Sequence, residues 1–202
     1  MAGFKVPASA LRLYHRLQRL GYSRCLGLFF SVACLFVGCT SAGHWVKDPP
    51  GVPSCLPDRL LTWDDFSKRS KPGGRSAETA IRFHISPRQP VRILAEFDPH
   101  QSWVKPELAY AWNPFLMRHS ERLLRHERLH FAISCLLTRE ANLALKSGGD
   151  PQAMLLLLNA VSTRINVQYD AETDHGLNQA RQAQWEEAIG ARLSAGPLTK
   201  FP

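Results

Sequence analysis

The chain has 202 residues, 25 Lys and Arg against 17 Asp and Glu, a formal net charge of +8, and is 45% hydrophobic. That composition excludes a disordered, collagen-like or mucin-like chain, and the length allows one domain with at most an appendage. Five basic residues (Lys5, Arg12, Arg16, Arg19, Arg24) precede residue 39 with no acidic residue among them; without these, 20 basic face 17 acidic residues, a net of +3. With so modest a remainder and no basic–aromatic patch, nucleic-acid binding is disfavoured.

The first 38 residues read as a lipoprotein-type signal peptide. A basic stretch to Arg24 is followed by the apolar run from Cys25 to Gly38. This run is too short for a transmembrane helix, which needs about 20 residues, and suits a signal-peptide core. It ends Leu35-Phe36-Val37-Gly38-Cys39-Thr40, which resembles a bacterial lipobox with Cys39 as the lipidated residue. Thr40 in the next position implies outer-membrane sorting, so the expected location is an exported lipoprotein facing periplasm or surface. The alternatives are cleavage near Ala42, giving a soluble periplasmic or secreted protein, and an uncleaved anchor. Each places the body outside the cytoplasm. Cys55 and Cys135 are then the cysteines left to the body. They can pair in an oxidising compartment, or Cys135 can serve as a small buried hydrophobe on a helix.

Residues 39–58 carry Pro49, Pro50, Gly51, Pro53 and Pro57 and read as an extended tether. The domain is expected over 59–195, with 196–202 as a tail. It opens with Leu60-Leu-Thr-Trp-Asp-Asp-Phe66 and a polar turn to Arg75. Two strands are predicted at 80–85 and 90–97, split by Ser86-Pro87-Arg88, with a third at 101–106. From Asn113-Pro114 the apolar period becomes helical as far as Lys146, and Gly148-Gly149 ends that helix. Asp150-Pro151 begins the next, as N-cap and first-turn proline, with an apolar face from Met154 to Val167. The polar segment Tyr169–Gly176 is expected to interrupt it, with Asp170 or Thr173 capping the last helix. That helix, carrying Ala180, Trp185 and Ile189, runs to about Leu193. The predicted class is α+β, a small antiparallel sheet followed by three helices.

On the long helix sits His126-Glu127-Arg128-Leu129-His130. Histidines four apart share one helix face and can hold one metal ion; Zn²⁺ takes imidazole nitrogen at about 2.0–2.1 Å and prefers four ligands. Glu127, one residue on, is placed to act as general base toward water activated by that ion, the logic of the H-E-x-x-H metalloproteases. The competing reading is two partly exposed helix histidines with Glu127 pairing to Arg125 or Arg128. A metzincin-type extension is excluded, because Ile133 and Leu136 stand where its Gly and His belong. Glu140 lies farther along the same helix and is directed away from the pair. The third ligand is sought in Tyr169–Gly176, which holds Asp170, Glu172, Asp174 and His175. Tyr169 is read either as a phenol that stabilises an oxyanion or as a core aromatic. His84 is read as a polar-face strand residue and His100 as a turn residue, while His119, two turns before His126 on nearly the same face, is read as solvated or as a distant candidate for substrate contact.

Four segments in this order, Leu60–Phe66, Ser102-Trp103-Val104, Leu123–Phe131 and Tyr169-Asp170…Thr173-Asp174-His175-Gly176, resemble a bacterial domain family of unknown function whose members are described as secreted zinc-dependent proteases. The resemblance covers residues 58–194. It implies a zincin-like fold, a bound zinc ion, and His175 as third ligand beside His126 and His130, with Asp170 or Asp174 available to orient it. The expected activity is hydrolysis of a peptide or protein substrate, with Glu127 as the catalytic base. The alternatives are a non-catalytic envelope lipoprotein that uses the same scaffold for binding or assembly, and amide hydrolysis on cell-wall peptide.

Overall fold

The structure, a computed structural model, describes Cys55, residues 60–71 and residues 74–194. The expected signal peptide, the lipidation site Cys39, nearly all of the tether and the tail lie outside the described residues. A 3-10 turn at Trp63–Asp65 leads into β1 (Ser67–Lys68), β2 (Ala77–Glu78), β3 (Ile81–Ile85), β4 (Ile93–Phe97) and β5 (Trp103–Val104). The helices come after them: α1 (Pro106–Ala109), α2 (Pro114–Lys146), α3 (Pro151–Thr173) and α4 (Gln179–Ser194). The α+β class therefore stands, with three long helices after the strands.

The strands form two small sheets. β3 and β4 pair antiparallel, with Ile81 opposite Phe97 and Ile85 opposite Ile93. β4 buries Ile93, Ala95 and Phe97 and turns Leu94 and Glu96 outward. The period-2 pleat thus sorts a run whose sequence alternates poorly. The second sheet has the order β1-β5-β2, with β5 parallel to β1 and antiparallel to β2. Asn142 on α2 ties a sheet to the helices, as its side-chain oxygen accepts from the Ile93 N–H at 2.7 Å and its amide donates to the Ile93 carbonyl at 2.8 Å.

α2 is the axis of the domain. Asn113 caps it by accepting from the Leu116 N–H at 2.9 Å, and Pro114 occupies the first turn, where no N–H is needed. Fourteen of its 33 residues are buried, and they serve two faces. One face joins Leu129, Ile133, Leu136, Leu137 and Ala141 to α3, α4 and β4; the other joins Leu123, Phe131 and Cys135 to Leu61, Trp63, Phe66 and Phe97. Cys135 is disulfide-bonded to Cys55, with Cα atoms 5.2 Å apart, which fastens the start of the domain to α2. The pairing left open by the sequence is thereby resolved.

α3 begins as expected at Asp150, which accepts from the Gln152 N–H at 2.9 Å. It does not break at Tyr169. The buried stripe Met154, Leu158, Val161, Ile165 continues at three- and four-residue spacing through Tyr169 and Thr173, both fully buried, while the charges of Asp170 and Glu172 occupy other faces. The helix ends at Asp174, in left-handed conformation. Neither Asp170 nor Thr173 caps the last helix; the Thr173 hydroxyl accepts from Gly176 N–H at 3.3 Å, and Asn178 accepts from the Arg181 N–H at 3.2 Å. Among the described residues no helix is long and apolar enough to cross a membrane.

Candidate metal centre

His126, Glu127 and His130 are buried on one stretch of α2, and the added turn of α3 carries Asp170 against them. Asp170 Oδ1 lies 3.0 Å from His126 Nε2 and 2.9 Å from His130 Nε2, and the two Nε2 atoms are 3.2 Å apart. The three atoms form a nearly equilateral triangle. Tetrahedral ligands at Zn²⁺ distances stand about 3.3 Å from one another, so the donor set fits a small divalent cation with little adjustment. Among the described residues the set is two imidazoles and one carboxylate, donor types that divalent zinc accepts.

The nitrogens facing away from this triangle fix which nitrogen of each ring carries hydrogen. His130 Nδ1 is 2.7 Å from Asn166 Oδ1, and the Asn166 amide donates to the Ser162 carbonyl at 2.9 Å. A carbonyl only accepts, so Asn166 must turn its oxygen toward His130. His126 Nδ1 is 3.3 Å from Gln182 Oε1, while the Gln182 amide donates to Glu186 Oε1 at 3.0 Å. Both imidazoles therefore donate from Nδ1 and present Nε2 to the triangle, as orienting partners do around metal-bound histidines. Asn166 and Gln182 were not among the predicted site residues. Their signal lay in periodicity. Ser162, Asn166 and Asp170 make a polar stripe at spacing four on α3, and Gln182 shares the apolar stripe of Trp185 and Ile189 on α4.

Electrostatics favour a cation here. Burial works to raise the Asp170 carboxyl, but its hydrogen bonds to His126 and His130 and their positive charge outweigh this and hold it far below the usual carboxylate range. Burial works to lower His130, yet its bond to Asp170 and the negative charge of Glu127 raise it overall. A divalent cation held there would have to displace any proton on Nε2, so binding would be pH-dependent.

Glu127 is 4% exposed, and its Oε2 accepts the Thr79 hydroxyl at 2.7 Å. Thr79 lies in the short link between β2 and β3, so its bond ties the carboxylate's orientation to the strands. The alternative in which Glu127 pairs with Arg125 or Arg128 does not hold, because Arg125 bonds Glu186 and Arg128 donates to the Leu61 carbonyl. Tyr169 is a core aromatic. Its ring stacks on His126 at 4.6 Å and its hydroxyl donates to Gln182 Oε1 at 2.7 Å, away from any reacting group. Burial pushes its phenol far above its usual range, so it stays a neutral donor.

His175 stands at the rim. Its Nδ1 is 3.6 Å from the same Asp170 oxygen, and its side chain is 57% exposed. The residue brought against both imidazoles is thus Asp170, with His175 beyond it. Glu172 is engaged by Gln168, Trp185 and Arg181, and Asp174 only lines the adjoining cleft. Asp174, His175 and Gly176 are consecutive residues with positive φ, 49°, 51° and 82°. Gly176 is required by contact as well as by conformation, for a Cβ there would lie 2.9 Å from His126 Cβ and 3.1 Å from Cγ. Since His126 is pinned by Gln182 and Asp170, Gly176→Ala is expected to lower stability by about 1–3 kcal/mol and weaken zinc binding at least about tenfold. Urea unfolding and zinc titration check this; unchanged values would show that the turn yields.

A cleft of about 620 Å³ opens on this cluster. One wall is the segment from Gly74 to Thr79 with Ile81 and Phe83; the other is α2 and α3, from His119 past Glu127 and His130 to Asn159 and Asp170. His119, read from sequence as solvated or as a distant candidate for substrate contact, is a half-buried residue of the cleft wall. No protein-family model, curated protein or solved structure matches this chain.

Proposed function

We propose that the protein is a zinc-dependent peptidase of the bacterial envelope, of the zincin-like type. The observation that carries this reading is the convergence of His126 Nε2, His130 Nε2 and Asp170 Oδ1 beside the buried Glu127 at the floor of an open cleft. His126, His130 and Asp170 would hold the ion, and when bound it supplies Lewis acidity toward a carbonyl and toward water. Glu127 takes the proton of the attacking water and passes it to the leaving amine. Thr79 keeps the Glu127 carboxylate aimed at the cleft rather than back along α2. β2 is an edge strand that pairs on one side only, with β5, and lies along the cleft wall. An extended peptide laid beside it would bring successive carbonyls past Glu127. Asn166 and Gln182 hold the imidazoles in the tautomer the ion needs.

The test is metal content and hydrolysis measured on one preparation. The purified protein is expected to bind one zinc ion per chain and to cleave members of a mixed peptide library. A chelator should stop cleavage and added zinc restore it. His130→Ala should lose both properties. Cleavage that persists in the metal-free protein, or a wild-type protein that holds no zinc, rejects the proposal. Zinc binding without cleavage of any peptide favours the non-catalytic scaffold.

A further inference from the structure

An apolar surface remains that neither the core nor the cleft uses. Tyr110 is 66% exposed, Trp112 83% and Phe115 70%, and Met117 is also exposed, all within the eight residues that join α1 to the first turn of α2. Pro106 and Pro114 open the two helices, and the Asn113 cap fixes the entry to α2. The loop is therefore a shaped projection. Trp and Tyr combine a large apolar body with a polar tip, the composition of side chains that sit at a bilayer's headgroup level. The neighbouring charges are nearly balanced, Lys105, Arg118 and Arg122 against Glu107 and Glu121, so attraction would come from apolar insertion more than from charge.

The chain outside the described fold points to the occupant. Cys39, where the apolar leader ends, lies sixteen positions before Cys55, which the disulfide fixes to Cys135. Fully extended, those sixteen steps span at most about 55 Å. Phe115 and Cys135 are twenty residues apart on one helix, about 30 Å along its axis. A chain held at a membrane through Cys39 thus leaves the aromatic loop within reach of that surface.

We infer that the Tyr110–Met117 loop is a membrane-contact surface that inserts Trp112 and Phe115 into the lipid headgroup region. This inference rests on the export reading of the N-terminus and is independent of the peptidase reading. The full chain, carrying Trp45→Phe to silence the one tryptophan of the tether, is reconstituted in vesicles of phosphatidylethanolamine and phosphatidylglycerol, with and without brominated acyl chains. Trp63, Trp103 and Trp185 are buried, so Trp112 is the exposed tryptophan among the described residues. Bromine is expected to quench a component of the emission, and Trp112→Phe to abolish that loss while zinc content and circular dichroism stay unchanged. Equal quenching with and without Trp112 overturns the inference. So does a dimer in these vesicles, detected by cross-linking, that dissociates in Trp112→Ser while bromine has no effect, since the loop would then be covered by a second copy of the chain.

Discussion

Glu127→Gln is expected to lower peptide hydrolysis by about 10²–10⁴-fold while leaving zinc content and fold intact. Glutamine has the volume of glutamate, and its side-chain oxygen can still accept the Thr79 hydroxyl that now lies 2.7 Å from Oε2. No buried group loses its partner, so no large stability penalty is incurred. What is lost is the ability to take a proton. The three converging atoms come from His126, His130 and Asp170, so the ion has no direct stake in the exchange. The measurement is the initial rate of peptide cleavage at saturating zinc, read beside metal content and a urea melt. Undiminished turnover by the variant would mean that another group moves the proton.

Much of the architecture was legible because it rests on local chemistry. Asn113-Pro114 and Asp150-Pro151 mark the starts of α2 and α3 through caps that each require an oxygen acceptor and a first turn without a donor. β3 and β4 begin one and three residues inside the predicted runs, where pairing across the hairpin sets in. The parallel pairing of β1 with β5 was not legible, because two-residue strands 36 positions apart leave no period to detect. The placement of Asp170 was missed for a different reason. Charge density over Tyr169–Gly176 suggested a loop, whereas the turn from Ile165 to Tyr169 to Thr173 keeps the buried spacing of the helix. Packing of three side chains outweighed the polarity of the residues between them, as tertiary context often outweighs local propensity.

That extra turn of helix decides the last expectation, which concerns the third ligand. Asp170→Ala is expected to weaken zinc binding by more than about 100-fold, a larger loss than typical for a residue that only orients a ligand. His175→Ala is expected to retain stoichiometric zinc. The carboxylate already touches both imidazoles, at 3.0 and 2.9 Å. Its removal leaves two Nε2 atoms 3.2 Å apart with no anion between them. His175 lies beyond Asp170 on a left-handed turn, and its loss exposes no buried polar group. Asp170→Asn separates charge from shape, since it keeps an oxygen at the same place and removes the negative charge that favours a divalent cation. Competition against a chromophoric zinc chelator gives all three affinities. Zinc lost from His175→Ala and kept by Asp170→Ala would assign the third position to the loop histidine. Asp170 would then serve as the carboxylate that orients the imidazoles, and the turn at Asp174–Gly176 would have to close over the cleft by more than the 3.6 Å gap now separating His175 from that oxygen suggests.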